Sequence, residues 1–220
     1  MAAPTSDRNR PDTRQRDADR TRAEILDVAT EEFADKGYTG ARVDEIAART
    51  STTKRMIYYY FGGKEQLYLA VLEHAYAVIR GLESEVDVEH LDPVEALRRL
   101  AELTFDHHEA HPAFLRLVSI ENIHRAEHLT RSALLPRLAD PALEVLGRIL
   151  ERGRAEHRFR TDVDALDVHV VISSFCVFRT ANRHTFQAIF GRDMLAPEHR
   201  EHYRRMLGDL VVDYLTNVED

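Results

Sequence analysis

With 220 residues, 44% hydrophobic and 31% charged, the chain has the make-up of an ordinary globular protein large enough for one or two domains. No apolar run approaches the roughly 20 residues that span a bilayer, and the opening MAAPTSDRNRPDTRQRDADRTR has no apolar stretch to act as a secretory signal. A single cysteine, Cys176, excludes an internal disulfide, and together these features predict a cytoplasmic protein without a membrane partner.

The net charge of −8 is unevenly placed. Residues 1–72 hold 12 basic and 12 acidic side chains, whereas residues 73–220 hold 18 and 26 and carry the whole excess. Such asymmetry predicts two units with different tasks. In chain order, residues 1–18 are polar, charge-mixed and interrupted by Pro4 and Pro11, and are expected to form a disordered arm. Helical periodicity begins with Ile25, Leu26, Ala29 and Phe33, and Gly37 ends it. Two short helices follow over roughly 43–50 and 53–60, then a longer one from Lys64 with Leu67, Val71, Leu72 and Ala75 on one face. Gly81 and the acidic segment to His90 read as a hinge or break.

Asp92-Pro93 opens the next helix as cap and first-turn proline, and Pro112, Pro136 and Pro141 mark later starts or kinks. Asp162 or Asp164 begins an unusually apolar helix reaching to about 190, and a last helix starts near Pro197. No strand-like alternation occurs, so the fold is expected to be all-α. The predicted division is an arm over 1–18, a first helical domain over 19–72, and a second helical domain over 73–220.

An expectation of DNA binding for the first domain rests on Val43 to Leu67. Its two short helices joined by a polar turn are how a helix-turn-helix presents a recognition helix to the major groove. Residues 36–64 hold six basic side chains (Lys36, Arg42, Arg49, Lys54, Arg55, Lys64) against two acidic ones (Asp44, Glu45), a local positive balance hidden by the whole-chain charge. Thr53 is placed to cap the recognition helix, whose positive dipole end then faces phosphate. Lys54 and Arg55 follow in the first turn, within reach of guanine edges or phosphate. Tyr58 and Tyr59 offer hydroxyls to phosphates, while Ile57, Tyr60 and Phe61 pack beneath. Lys64, after Gly62-Gly63, suits a second phosphate clamp.

The segment IAARTSTTKRMIYYYFGGKEQL resembles the N-terminal domain of TetR/AcrR-family transcriptional repressors: an Ile-Ala helix, a Ser/Thr-Lys recognition start, an aromatic Tyr-x-Tyr-Phe run and Lys-Glu-x-Leu. The strong match covers residues 22–72. Three positions depart from the family's pattern: Ser51 stands for the usual turn glycine, Thr52 for an apolar residue, and Arg42 for the Ser/Thr that opens the first of the two helices. The resemblance implies a C-terminal ligand pocket and dimer interface, with ligand binding releasing DNA.

One short recognition helix reads too few base pairs to select a genomic site, so a homodimer on a palindromic double-stranded operator is expected. The last two helices are the expected interface, because the helix over 165–190 carries more apolar surface than one buried side requires. A small-molecule effector is expected among residues 100–125 and 165–185. Phe105, Phe114, Phe175 and Phe178 are candidate walls, and His108, Glu121, Asn122, Arg179 and Asn182 candidate polar groups, with an internal Arg179–Glu121 pair as the alternative use of that arginine. His107-x3-His111 and His124-x3-His128 have zinc-compatible spacing, but without cysteine or a carboxylate cluster no metal is assigned. Nor is any cofactor, since no phosphate-binding loop, nucleophile elbow or catalytic carboxylate pair is present and no enzyme is predicted. The competing reading is a ligand-independent, metal-responsive or redox-responsive DNA-binding protein.

Overall fold

The computed structural model describes residues 13–216 except 85 and 87, and the regular structure among them is helical. Among the described residues the helices are α1 (Thr13–Gly40), α2 (Val43–Ala48), α3 (Lys54–Phe61), α4 (Lys64–Ser84), α5 (Pro93–Ala110), α6 (Pro112–Ile123), α7 (Leu135–Ala155), α8 (Ala165–Ala181), α9 (Arg183–Phe190) and α10 (Pro197–Thr216), with a 3-10 turn over Leu129–Arg131. Two compact units divide the chain at Val71 and Leu72, within α4.

The expected disordered arm lies outside the described residues up to residue 12. Residues 13–18 instead form the first turns of α1, where Arg20 pairs with Asp17 and the Thr21 hydroxyl donates to the Asp17 carbonyl. Gly37 does interrupt the helix, with φ 67° and ψ 175°. Ile25, Ala29, Phe33, Ile46, Ile57, Leu67 and Tyr68 build the core of this first unit, with the Phe33 and Tyr68 rings 4.8 Å apart.

The second unit packs α5, α7, α8 and α10 around Leu97, Leu100, Phe105, Leu146, Ile149, Ile172, Cys176, Leu207 and Val211. Local chemistry sets the helix starts. Asp92 caps α5 by accepting from the Val94 and Glu95 amides ahead of Pro93, and Asp164 and Asp167 form a reciprocal capping box on α8. Two expectations are corrected. Gly81 does not break α4, which runs on to Ser84, since one glycine costs a helix interior only about 1 kcal/mol. The single helix expected over 165–190 is two, because Asn182 ends α8 and begins α9.

One glycine is required by packing. A Cβ on Gly153 would lie 2.0 Å from Cδ2 of Phe159, whose ring is buried. Alanine favours helix over glycine by about 1 kcal/mol, but overpacking costs about 1–3 kcal/mol, and here the overlap is with a ring that has nowhere to go. Gly153→Ala is therefore expected to lower stability by about 1–2 kcal/mol, read as a lower urea midpoint. An unchanged or raised midpoint would mean that Phe159 does not occupy this seat.

Candidate functional site

In the first unit, the turn between α2 and α3 closes without glycine. Ser51 donates both its amide and its hydroxyl to Glu24, each at 2.7 Å, and these bonds hold the Glu24 carboxyl below its usual range. Among the described residues, positive φ outside glycine occurs only at Arg125, Ala126 and His157, so Ser51 bears no left-handed strain. A carboxylate on α1 thus does what backbone freedom does elsewhere. Arg42 makes no side-chain cap for α2, and its own amide donates to Glu32.

Thr53 caps α3 by accepting from the Met56 amide at 3.3 Å. Ile57 and Phe61 are buried, with the Arg22 guanidinium 5.2 Å above the Phe61 ring. That fixes the opposite face outward: Arg55 is exposed, Tyr58 is 42% and Tyr59 78% exposed, and the Tyr59 and Tyr60 rings meet edge to face at 5.5 Å.

Most of the positive charge counted in this region has partners. Lys36 binds Glu32, Arg49 binds Glu31, and Lys54 binds Asp44 at 2.9 Å, which raises the Lys54 pKa. Lys64 lies 5.0 Å from the Tyr38 ring centre and donates to the Thr39 carbonyl, and partial burial lowers its pKa. Arg42 and Arg55 have no carboxylate partner among the described residues.

The second unit contains a cavity of about 170 Å³ between α4, α5, α6 and α8. Tyr76, Ile79, Arg80 and Glu83 come from α4, Thr104 and His108 from α5, Phe114, Leu115 and Val118 from α6, and His169, Ser173 and Val177 from α8. The Tyr76 and Phe114 rings meet at 5.2 Å, nearly perpendicular. Arg80 donates from Nη1 to Glu83, while its Nε is buried with no hydrogen-bond partner. Burial raises the Glu83 carboxyl pKa against the lowering effect of Arg80.

His108 gives its Nδ1 proton to the Thr104 carbonyl at 2.7 Å, which leaves Nε2 as an acceptor in the neutral ring. Burial depresses His108 to about 4, and it also lowers His169, whose Nε2 lies 3.2 Å from the Ser173 hydroxyl. Beside the cavity His107 is buried with neither ring nitrogen partnered; it stacks on His111 at 4.2 Å and is depressed to about 3, chiefly by desolvation.

Of the residues expected to meet an effector, His108 and Phe114 line this cavity. Glu121 is fully buried and accepts from the amides of His128 and Leu129 and from His128 Nδ1, closing the turn after α6. Arg179 pairs with Glu109 rather than Glu121, because Glu121 is committed to that turn, and its guanidinium lies 4.0 Å from the Phe105 ring centre. Asn122 is exposed and donates to the Val118 carbonyl, and Asn182 is the C-cap of α8. Phe175 and Phe178 face a separate apolar groove of about 640 Å³ with Val170, Phe186, Tyr203 and Leu210. Tyr76, Arg80, Glu83, His169 and Ser173 also line the cavity beside His108 and Phe114, and their sequence signal is weak: an Arg and a Glu three apart in α4.

Among the described residues no three His, Cys, Asp or Glu side chains are grouped to hold a metal ion, and no helix is long and apolar enough to cross a membrane. Cys176 is buried, and its thiol is pushed up to about 12 by desolvation, so it holds almost no nucleophilic thiolate.

Two family models match the chain: residues 25–71 match bacterial regulatory proteins of the tetR family, and residues 93–211 match the tetracyclin repressor-like C-terminal domain. The HTH-type transcriptional repressor NicS of Pseudomonas putida is 36% identical over 199 residues, covering 90% of this chain and 94% of NicS. The HTH-type transcriptional repressor SCO4008 of Streptomyces coelicolor is 39% identical over 49% of this chain and 53% of its own length. Among solved structures, the transcriptional regulator SCO4942 of Streptomyces coelicolor is similar with a TM-score of 0.64 and 26% identity, covering 90% of this chain and 99% of that one. A tetR-family regulatory protein from Rhodococcus RHA1 has a TM-score of 0.69 at 20% identity over 90% of this chain and 98% of its own, a likeness of fold.

Proposed function

The chain belongs to the tetR family of bacterial regulatory proteins, and on that premise we propose that it is a ligand-responsive transcriptional repressor. In this reading it works in the cytoplasm, binds a palindromic operator as a homodimer, and lets go when a small molecule enters the second unit. The observation that carries the reading is the recognition helix α3, capped by Thr53, anchored through Ile57 and Phe61, and turning Arg55, Tyr58 and Tyr59 outward. The repressor sense draws support from the NicS likeness, which spans nearly the whole of both chains.

On DNA, Arg55 and Lys54 reach base edges or phosphates from the first turn of α3, and Thr53 sits where its amide end meets a phosphate. Tyr58, Tyr59 and Arg42 contact the backbone alongside. The Lys54–Asp44 pair is exposed to solvent and therefore weak, so Lys54 is readily drawn to a phosphate. Lys64, held over Tyr38, extends the positive edge.

Dimerisation is assigned to the outer face of α8 and α10. There Leu166, Val170, Phe178, Met206, Leu210 and Tyr214 are all at least 40% exposed, an apolar surface that a second copy would cover across a two-fold axis. The effector acts by binding better to the arrangement in which the two recognition helices no longer fit successive grooves.

Genomic fragments selected by the purified protein supply the operator for the test. Lys54→Ala combined with Tyr58→Phe is expected to weaken operator binding ten- to a hundredfold, about 1.4–2.8 kcal/mol, and to flatten its salt dependence. The thermal midpoint should not move, because both side chains are exposed. Unchanged affinity in a gel shift would sink the recognition-helix assignment, and a monomer by light scattering at micromolar concentration would sink the homodimer.

A further inference from the structure

We propose that the cavity between α4, α5, α6 and α8 is built for a small planar ring carboxylate, which takes the Arg80 guanidinium over from Glu83. This rests on the effector reading above and names the chemistry of that ligand. Size comes first: cavities of about 150 Å³ hold one benzene ring, and this one measures about 170 Å³. The edge-to-face rings of Tyr76 and Phe114 supply a flat aromatic corner for it.

Charge comes next. A guanidinium is satisfied by a carboxylate that spans two of its N–H groups. Glu83 reaches Nη1 alone, and the Nε of Arg80 is left buried without an acceptor. The pair is therefore incomplete, although both side chains are largely withdrawn from solvent, at 12% and 4% exposure. The positive potential of Arg80 is also felt beyond Glu83, since it helps to keep His107, His108 and His169 neutral. Away from Arg80, the bare Nε2 of His108 and the Ser173 hydroxyl can meet a hydroxyl or similar substituent on the ring.

Glu83 then acts as an internal stand-in for the ligand's carboxylate. Once displaced it loses the Arg80 contacts that lower its pKa and keeps the burial that raises it, so its affinity for a proton rises. Binding of an acid that stays ionised above about pH 5 should therefore tighten as pH falls, by up to about tenfold per unit. The other titratable groups lining the site are Tyr76 on α4, His108 on α5 and His169 on α8; from outside the lining, His107 on α5 feels the charge of Arg80 and Glu121 on α6 acts on Tyr76.

The test is calorimetry on the full chain with benzoate, 4-hydroxybenzoate, hexanoate and the neutral isostere benzamide, at about pH 6 and about pH 8. A ring acid is expected to bind at least roughly tenfold tighter than benzamide and hexanoate, and tighter at the lower pH. Arg80→Gln should lose that binding. Glu83→Gln should strengthen it roughly tenfold and flatten the pH dependence, a gain that a misfolded variant does not produce. The idea is overturned if no ring acid binds at millimolar concentration, if benzamide binds as well as benzoate, or if Glu83→Gln binds more weakly or keeps the pH slope. Operator release is read separately. Ring acids that bind as expected but leave the operator complex intact would uphold the ligand chemistry and sink the effector reading. Release by benzamide but not by the acids would do the reverse.

Discussion

Replacing Glu121 by leucine is expected to cost about 3–5 kcal/mol of stability, at least about a fifth of the roughly 5–15 kcal/mol a domain has to lose. The reason is accounting of hydrogen bonds rather than of charge. Glu121 is fully buried, and its two oxygens accept from the His128 amide at 3.1 Å, the Leu129 amide at 3.1 Å and His128 Nδ1 at 3.0 Å. Leucine fills the volume but strips those two amides and a buried imidazole of this acceptor, and each unmade bond costs about 1–3 kcal/mol.

The turn that Glu121 closes is strained as well: Arg125 and Ala126 hold φ of 58° and 57°, which non-glycine residues adopt only when their surroundings insist. Glu121→Gln keeps one carbonyl acceptor and should cost about half as much. Urea unfolding followed by circular dichroism measures the loss, and hydrogen exchange at the His128 and Leu129 amides locates it. If Glu121→Leu unfolds at the wild-type urea concentration yet no longer responds to an effector, Glu121 belongs to the ligand site and not to the turn.

What was legible in the sequence was what is local. The caps at Thr53 and Asp92 and the starts at Pro93, Pro112 and Pro197 follow from chemistry within four residues, and the structure has helices beginning at each; at α8 the sequence leaves Asp162 and Asp164 both open, and the cap is Asp164. The recognition-helix sidedness was legible for the same reason, since Ile57 and Phe61 lie one turn apart on the face that is buried.

Charge was less legible. A count over residues 36–64 finds a positive surplus, but the carboxylates that engage it, Glu31 and Glu32, stand before the window on α1. The cavity was least legible, because its polar groups come one or two at a time from four helices. Arg80 reads as an ordinary surface residue until α5, α6 and α8 are packed over it. Arg179 was misdirected for a related reason: Glu109 and Glu121 are equally acidic in sequence, and only the turn after α6 decides which of them is already occupied.

Acid should destabilise the second unit well before the carboxylates titrate. His107 and His108 are buried and neutral, depressed to about 3 and about 4, whereas an unfolded chain's histidine titrates near 6.5. Below about 6.5 the unfolded state therefore binds protons that the folded state refuses, and stability falls as pH falls until each folded value is reached. At about pH 5 each ring accounts for roughly 2 kcal/mol, so the two together remove about 4 kcal/mol relative to neutral pH. His169 adds a loss of the same sign, and Glu83, whose carboxyl is raised, partly offsets them. The lowered carboxylates Glu24, Asp92, Asp162 and Asp193 lose their contribution only below their ordinary range near pH 4, in a separate window. The urea midpoint should thus drop between about pH 7 and about pH 5. His107→Leu should shrink that drop by about half while costing little at neutral pH, since it removes two buried nitrogens that have no partner. A wild-type midpoint that is equal at both pH values would mean that these rings meet water in the folded state, and the burial on which this prediction stands would be wrong.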